Sequence, residues 1–186
     1  MKKSPAARKK TQGEIKKIAR KIRLLVLDVD GVLTDGSIIL DNKGNEYKSF
    51  HVRDGHGIKM LQRAGMNVAI ITGRRSKVVE RRAAELGIGD VFQKCFNKVA
   101  AFEQLLGKYG LTPSEVAYMG DDIVDAPVMR KVGLPVTVAD ADPGIRAFSL
   151  FVTKCRGGRG AVRELTDYIL GAKGLLQGIL DEYFEA

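Results

Sequence analysis

What most constrains this chain is a rhythm: short apolar runs alternate with longer amphipathic stretches, and the amphipathic stretches stop at glycine. Strand-like runs fall at Leu24–Leu27, Asn67–Ile71, Val91–Lys94, Val116–Met119, Val136–Val138 and Phe151–Thr153. Helical patterns lie between most of them, at Gly57–Ala64, Ser76–Leu86, Lys98–Tyr109 and Ile123–Val132, followed by Gly65, Gly87, Gly110 and Gly133. Glycine tolerates the left-handed conformation that closes a helix. Alternating elements of this length are joined by right-handed crossovers, which build a mainly parallel sheet covered on both faces. The expected fold class is therefore α/β, three layers in a Rossmann-like arrangement. One segment breaks the rhythm. Ser37–Phe50 alternates with period two around Asn42-Lys43-Gly44-Asn45, the pattern of a β-hairpin.

Charge is distributed in a way that bears on partners. The chain has 186 residues and a formal charge of +9, yet residues 1–23 carry ten Lys or Arg against a single Glu, and the remainder is neutral. The body is not a basic protein; it carries a basic arm. Its second half, from about Glu14, reads as one amphipathic helix with Ile15, Ile18 and Ile22 along one side. No aromatic residues are interleaved with the charges, so a solvated tail is favoured over a nucleic-acid arm. The expected division is an arm over 1–23, a folded domain over 24–173 and a C-terminal tail over 174–186. The basic N-terminus has no apolar run of the kind a secretory signal needs, and no stretch approaches the length of a membrane span. Cys95 and Cys155 stand alone, without metal-ligand spacing, which fits reduced thiols in the cytoplasm.

In an open parallel sheet, ligands sit beyond the carboxyl ends of the strands, so the polar residues at those ends can be collected. The first strand delivers Asp28 and Asp30, the second Thr72, and the fourth Asp121, Asp122 and Asp125; Lys98 opens the helix after the third. So many carboxylates repel one another unless a hard divalent cation sits among them, and all-oxygen ligands suit Mg²⁺. Lys98, Thr72 and the amides of the Asp28–Gly31 loop suit phosphoryl oxygens. In that setting Asp28 is placed as a nucleophile, and Asp30 as the group that protonates a leaving alcohol and then deprotonates the attacking water. Each residue has a blander reading. Asp121 and Asp122 can cap a helix, Thr72 likewise, and Lys98 alone is an ordinary surface lysine. The catalytic reading rests on their convergence.

The segments DVDGVLTDG, ITG, Lys98 and GDDIVD, in that order, resemble the four motifs of the haloacid dehalogenase superfamily over Leu24 to about Glu164. HVRDGHGI, ITGRR, GDDIVDAPVMRKVGL and GGRGAVRE are further similar to its 3-deoxy-D-manno-octulosonate 8-phosphate phosphatase family. That resemblance implies a haloacid dehalogenase fold with a small hairpin flap in place of a cap domain. It further implies a Mg²⁺-dependent homotetramer acting on a small phosphorylated sugar acid in lipopolysaccharide precursor synthesis. Carried over by position, it makes Asp28 nucleophile and metal ligand, and Asp30 acid/base and, through its carbonyl oxygen, a ligand. Asp121 becomes the third ligand, with Asp122 orienting the site by hydrogen bonds. Thr72 and Lys98 bind phosphate. Substrate contacts fall on Asp30, His51, Val52, Arg53, Asp54, Gly55, Lys59, Arg74, Arg82 and Lys98. Lys59 stands where arginine is common, keeping the charge but losing a bidentate fork. Arg82 lies eight residues beyond Arg74, about 12 Å along a helix, and so meets the far end of the substrate or a neighbouring subunit.

Rival functions divide on the same residues. A phosphorylated receiver domain also gathers acids, a Thr and a Lys, but its phosphoacceptor stands alone downstream of the acid pair. Here the nucleophile comes first, with Asp30 two residues on, which favours turnover. A non-catalytic module of the same fold would not need every catalytic position filled. Within the enzyme class the rival is a phosphatase of a nine-carbon sugar acid, KDN 9-phosphate or an acylneuraminate 9-phosphate.

Overall fold

The computed structural model describes residues 10–185. Residues 1–9 of the expected arm lie outside the described residues. Six parallel strands form one sheet in the order β5-β4-β1-β6-β7-β8, made of β1 (Leu24–Leu27), β4 (Asn67–Ile71), β5 (Asp90–Phe92), β6 (Val116–Met119), β7 (Leu134–Thr137) and β8 (Phe151–Val152). Strand β1 lies at the centre, pairing Leu24–Leu27 with Asn67–Ile70 on one side and Val116–Met119 on the other. All four of its residues are fully buried, as a strand covered on both faces demands. Among the described residues, eight α-helices complete the layers: α1 (Gln12–Ala19), α2 (Val52–Arg63), α3 (Lys77–Leu86), α4 (Lys98–Tyr109), α5 (Ala126–Met129), α6 (Pro143–Phe148), α7 (Ala161–Lys173) and α8 (Leu176–Phe184). Residues of α1, α2, α3 and α7 pack with Leu25 and Leu27 on one face of the sheet. Residues of α4, α5 and α6 pack with Leu24 and Val26 on the other. The alternation along β1 sends its side chains to opposite layers.

The expected hairpin is present as β2 (Ile39–Leu40) and β3 (Glu46–Tyr47), paired antiparallel. Asp41 holds the turn, its carboxylate accepting from the Lys43 and Asn45 amides at 2.9 and 2.8 Å. Gly87 and Gly110 close their helices in the left-handed conformation, with φ of 70° and 59°. Gly133 does something else. Its amide donates to the Pro113 carbonyl at 2.8 Å, and a Cβ there would lie 2.3 Å from the Ser114 carbonyl oxygen. Close approach, not a cap, requires that glycine.

Three differences from the sequence reading have clear causes. Helix α2 starts at Val52, five residues before the apolar period becomes visible, because two glycines hide it. A Cβ on Gly55 would lie 2.4 Å from Arg82 Nη2, and one on Gly57 would lie 2.3 Å from Thr166 Oγ1, so the helix packs through bare backbone. The stretch Ile123–Val132 splits into a 3₁₀ turn, Ile123–Asp125, and the short α5, with Pro127 in the first turn of α5. The folded body also extends beyond both expected boundaries. Ile15, Ala19 and Ile22 are buried in the core, Arg20 Nε donates to the Ala172 carbonyl at 2.8 Å, and α8 lies beyond residue 173. From Gln12 onward the arm is part of the domain, because an apolar stripe at helical spacing gains more by burial against α7 than in water.

Candidate active site

Strand β1 ends by passing Asp28 to the top of the sheet: its amide still donates to the Met119 carbonyl at 3.0 Å, continuing the ladder. The chain then turns tightly, with the amides of Val32, Leu33 and Thr34 all donating to the Val29 carbonyl. Gly31 makes the turn possible with φ of 84°, and it leaves space: a Cβ there would sit 2.0 Å from Asp121 Oδ2. Asp28 Oδ1 accepts from the Val29 amide at 2.7 Å, and Oδ2 lies 2.9 Å from Lys98 Nζ. Lys98 stands at the start of α4, whose Asn97 cap accepts from the Ala100 amide at 3.3 Å. Its ammonium also donates to Asp125 Oδ1 at 2.7 Å. Two of three N–H donors are thus used and one remains.

Asp125 is the residue that sequence reasoning undervalued. It is fully buried, and each oxygen takes two donors: Oδ1 from Lys98 Nζ and the Tyr118 hydroxyl, Oδ2 from the Asp121 and Asp122 amides. The hydrogen bonds within the site that were expected of the Asp122 carboxylate are made by Asp125. The Asp122 carboxylate instead accepts from the Ile123 amide at 2.6 Å and caps the 3₁₀ turn. The only hint was position, since Asp125 follows Asp121 by one helical turn. Tyr118 gave no hint, because in a strand it reads as core.

Burial first, and then the neighbouring Asp125 charge, push the Asp28 carboxyl up to about 6. Asp121 is pushed up to about 7, by burial and then by Asp28 and Asp125. For Lys98, burial works against the charged form, but the Asp28 and Asp125 carboxylates outweigh it and the net shift is upward. The site is short of positive charge. One oxygen each of Asp28, Asp121 and Asp125 lie within 4.8 Å of one another. With Asp125 saturated by donors, the open oxygens are those of Asp28 and Asp121; the Asp121 carboxylate and the Asp30 carbonyl accept no hydrogen bond from a described residue. An all-oxygen set of this kind fits Mg²⁺.

Asp28, Lys98 and Asp121 open onto one cavity of about 480 Å³, with Asp125 buried behind them. Asp28, Asp30, Thr72, Arg74, Lys98, Asp121 and Asp122 all line it. Cys95, Phe96 and Val124 add an apolar wall that was not foreseen. The expected contacts from His51 to Gly55, with Lys59 and Arg82, do not line it. Val52 and Arg53 are exposed on the first turn of α2. Asp54 is buried and structural, accepting from the Arg163 and Gly160 amides at 2.7 and 3.3 Å at the start of α7. His51 precedes α2, with Nδ1 buried and unpartnered. The Lys59 ammonium reaches toward Gly87. The Arg82 guanidinium lies over the Phe50 ring at 5.8 Å and 3.3 Å from Glu85 Oε2.

An aspartate at the end of the first strand of a parallel sheet, a lysine against it and an acidic loop opposite fit the fold and site of a hydrolase. Residues 45–133 match the haloacid dehalogenase-like hydrolases. The chain is 54% identical over 164 residues to the 3-deoxy-D-manno-octulosonate 8-phosphate phosphatase KdsC of Escherichia coli K12, covering 88% of this chain and 85% of that protein. The crystal structure of the Yersinia pestis phosphatase of that name superposes with a TM-score of 0.88 at 49% identity, covering 89% of each chain. The Moraxella catarrhalis phosphatase, crystallised with magnesium, phosphate and KDO, superposes at 0.91 with 40% identity, covering 93% of this chain and 99% of that one. The chain belongs to the 3-deoxy-D-manno-octulosonate 8-phosphate phosphatase family of haloacid dehalogenase-like hydrolases.

Proposed function

We propose that the chain is a Mg²⁺-dependent phosphatase that hydrolyses 3-deoxy-D-manno-octulosonate 8-phosphate to KDO and inorganic phosphate, serving lipopolysaccharide precursor synthesis. The observation that carries the mechanism is the placement of Asp28 at the cavity floor, within 2.9 Å of Lys98. An Asp28 oxygen attacks phosphorus, the bond to the sugar oxygen breaks, and Asp30 gives that oxygen its proton. Water then attacks the phosphorus of the aspartyl phosphate, Asp30 takes the water's proton, and phosphate leaves with Asp28 restored. The remaining Lys98 donor and the Thr72 hydroxyl hold phosphoryl oxygens. Mg²⁺ held by Asp28, Asp121 and the Asp30 carbonyl would neutralise the charge gathered on the phosphoryl group. Arg74, at the cavity wall, suits the sugar carboxylate.

The reading extends to assembly and compartment. Ile38, Ile39, Leu40 and Tyr47 leave the hairpin with a large exposed apolar surface, which supports association into a homotetramer. His51, Val52, Arg53, Lys59 and Arg82 would then act on a neighbour's substrate, whereas Asp54 and Gly55 are buried within their own chain. Two free thiols, Cys95 and Cys155, suit the reducing cytoplasm. No described helix is long and apolar enough to cross a membrane. The decisive experiment measures kcat/KM on the eight-carbon substrate beside KDN 9-phosphate and an acylneuraminate 9-phosphate. The eight-carbon phosphate is expected to win; a nine-carbon winner would overturn the substrate.

A further inference from the structure

Asp30 belongs to a closed ring of four alternating charges, and two members of the ring have no place in the reaction above. The Lys48 ammonium pairs with Asp30 Oδ1 and lies 3.5 Å from Glu46 Oε1. The same Glu46 oxygen accepts from Arg74 Nη2 at 2.9 Å, and Arg74 Nε lies 3.8 Å from Asp30 Oδ2. The Lys48 side chain is 1% exposed and that of Glu46 17%. A lysine is almost never buried so deeply unless it is paired. Glu46 lies on β3 and Lys48 just after it, on a hairpin whose paired strands are two residues long and whose apolar side chains point largely to solvent. Such a hairpin has little packing to fix it, so the ring ties it to the cavity mouth.

We propose that Lys48 and Glu46 are positioning residues for the reaction. Lys48 fixes the carboxylate of Asp30, and Glu46 holds Arg74 across the cavity. The two Asp30 oxygens face different cations, Lys48 at Oδ1 and Arg74 at Oδ2, which resists rotation of the carboxylate. An acid/base group must reach first the leaving oxygen and then the attacking water, and misplacement by about 1 Å can cost about 100-fold. The labour divides. Lys48 acts through the group that moves protons, so its loss falls on kcat. Glu46 acts through a group that binds substrate, so its loss falls on KM. This inference rests on Asp30 being the proton carrier.

The test uses the full-length Mg²⁺-loaded enzyme and 3-deoxy-D-manno-octulosonate 8-phosphate, with wild type, Lys48→Met, Lys48→Arg, Glu46→Gln, Asp30→Asn and the double variant Asp30→Asn/Lys48→Met. Lys48→Met should lower kcat about 10- to 100-fold with little change in KM, and Lys48→Arg should recover most of it. In the Asp30→Asn background the same change should cost less than about threefold, because contacting residues that act as a unit are not additive. Glu46→Gln should raise KM and leave kcat within about threefold. If Lys48→Met costs the same factor with and without Asp30, or if arginine restores nothing, Lys48 only anchors the hairpin and the inference is overturned. Near-normal activity in Asp30→Asn alone would overturn the reading of Asp30 instead. Should Lys48→Met fail to fold by circular dichroism, Lys48→Gln carries the same comparison, and wild-type kinetics in it would sink the role of Lys48.

Discussion

Asp28 is placed where its charge is costly, and the cost is bound up with its function. A carboxylate pushed up to about 6 by burial and by Asp125 is destabilised until a cation or a phosphoryl group engages it. Asp28→Asn keeps the volume and removes the proposed nucleophile. It should fold normally and lose several orders of magnitude in kcat, as when a member of a covalent unit is removed; steady-state assay with a thermal melt checks both halves. Asp121, pushed up to about 7, gives a second prediction with a definite sign. Both groups hold a proton more tightly folded than unfolded, where the ordinary value is 3.8. The metal-free protein therefore gains stability from them at low pH and loses it as pH rises through about 6 to 7. Mg²⁺ must compete with those protons, so it should raise Tm by more at pH 8 than at pH 5.5 relative to EDTA. Asp121→Asn should shrink the difference. An equal Mg²⁺ effect at both pH values would take these carboxylates out of the metal site.

Elements position these residues through glycine as much as through side chains. The loop after Cys155 docks against the catalytic turn: the Gly158 amide donates to the Val32 carbonyl at 2.9 Å, and a Cβ on Gly157 would fall 1.9 Å from the Gly31 carbonyl oxygen. Gly157→Ala must therefore displace the Gly31 turn and with it Asp121. We expect activity to fall at least tenfold and Mg²⁺ affinity to weaken, read by Mg²⁺ titration of activity and of Tm. Wild-type values for both would mean that the loop is free to move. The same contrast explains what could be read before the fold was seen. The strand that ends in Asp28 and the helices closed by Gly87 and Gly110 were legible because apolar period and left-handed glycine are local signals. Helix α7 is harder to read although Val162, Leu165, Ile169 and Ala172 keep helical spacing, because the glycine-rich run before it reads as loop. The Asp125 network and the Asp30–Lys48–Glu46–Arg74 ring were illegible for a deeper reason. They join β6 to α4, and β1 to the hairpin, and no local period records which distant charges will meet.

At the scale of the whole molecule the cavity is unfinished. Its walls hold Arg74, Asp28, Asp30 and Asp121, while Phe96 is 92% exposed and Val124 58%. Val52 at the start of α2 is 80% exposed, and the hairpin leaves Ile39 and Leu40 in water at 48% and 61%. Apolar surface of this kind marks a contact, and a hairpin edge offers a second copy a strand to pair with. Among the described residues no cap is inserted to close the site: between Gly36 and Thr72 lie only the hairpin, α2 and β4, and between Gly73 and Lys98 only α3 and β5. Closure from a neighbouring subunit is the economical alternative. Light scattering should then find a tetramer, and Leu40→Asp should dissociate it and depress activity together. A fully active monomer would refute the assembly. Shared sites make a sharper prediction. Arg53 is exposed and lies outside its own chain's cavity, so in the proposed assembly it is free to serve a neighbour's. Asp28→Asn subunits and Arg53→Ala subunits, each impaired alone, should regain activity when unfolded and refolded together. In the mixed assembly an intact Asp28 on one chain can face an intact Arg53 from another. If each subunit is self-sufficient, mixing restores nothing, and the hairpin surface serves stability alone.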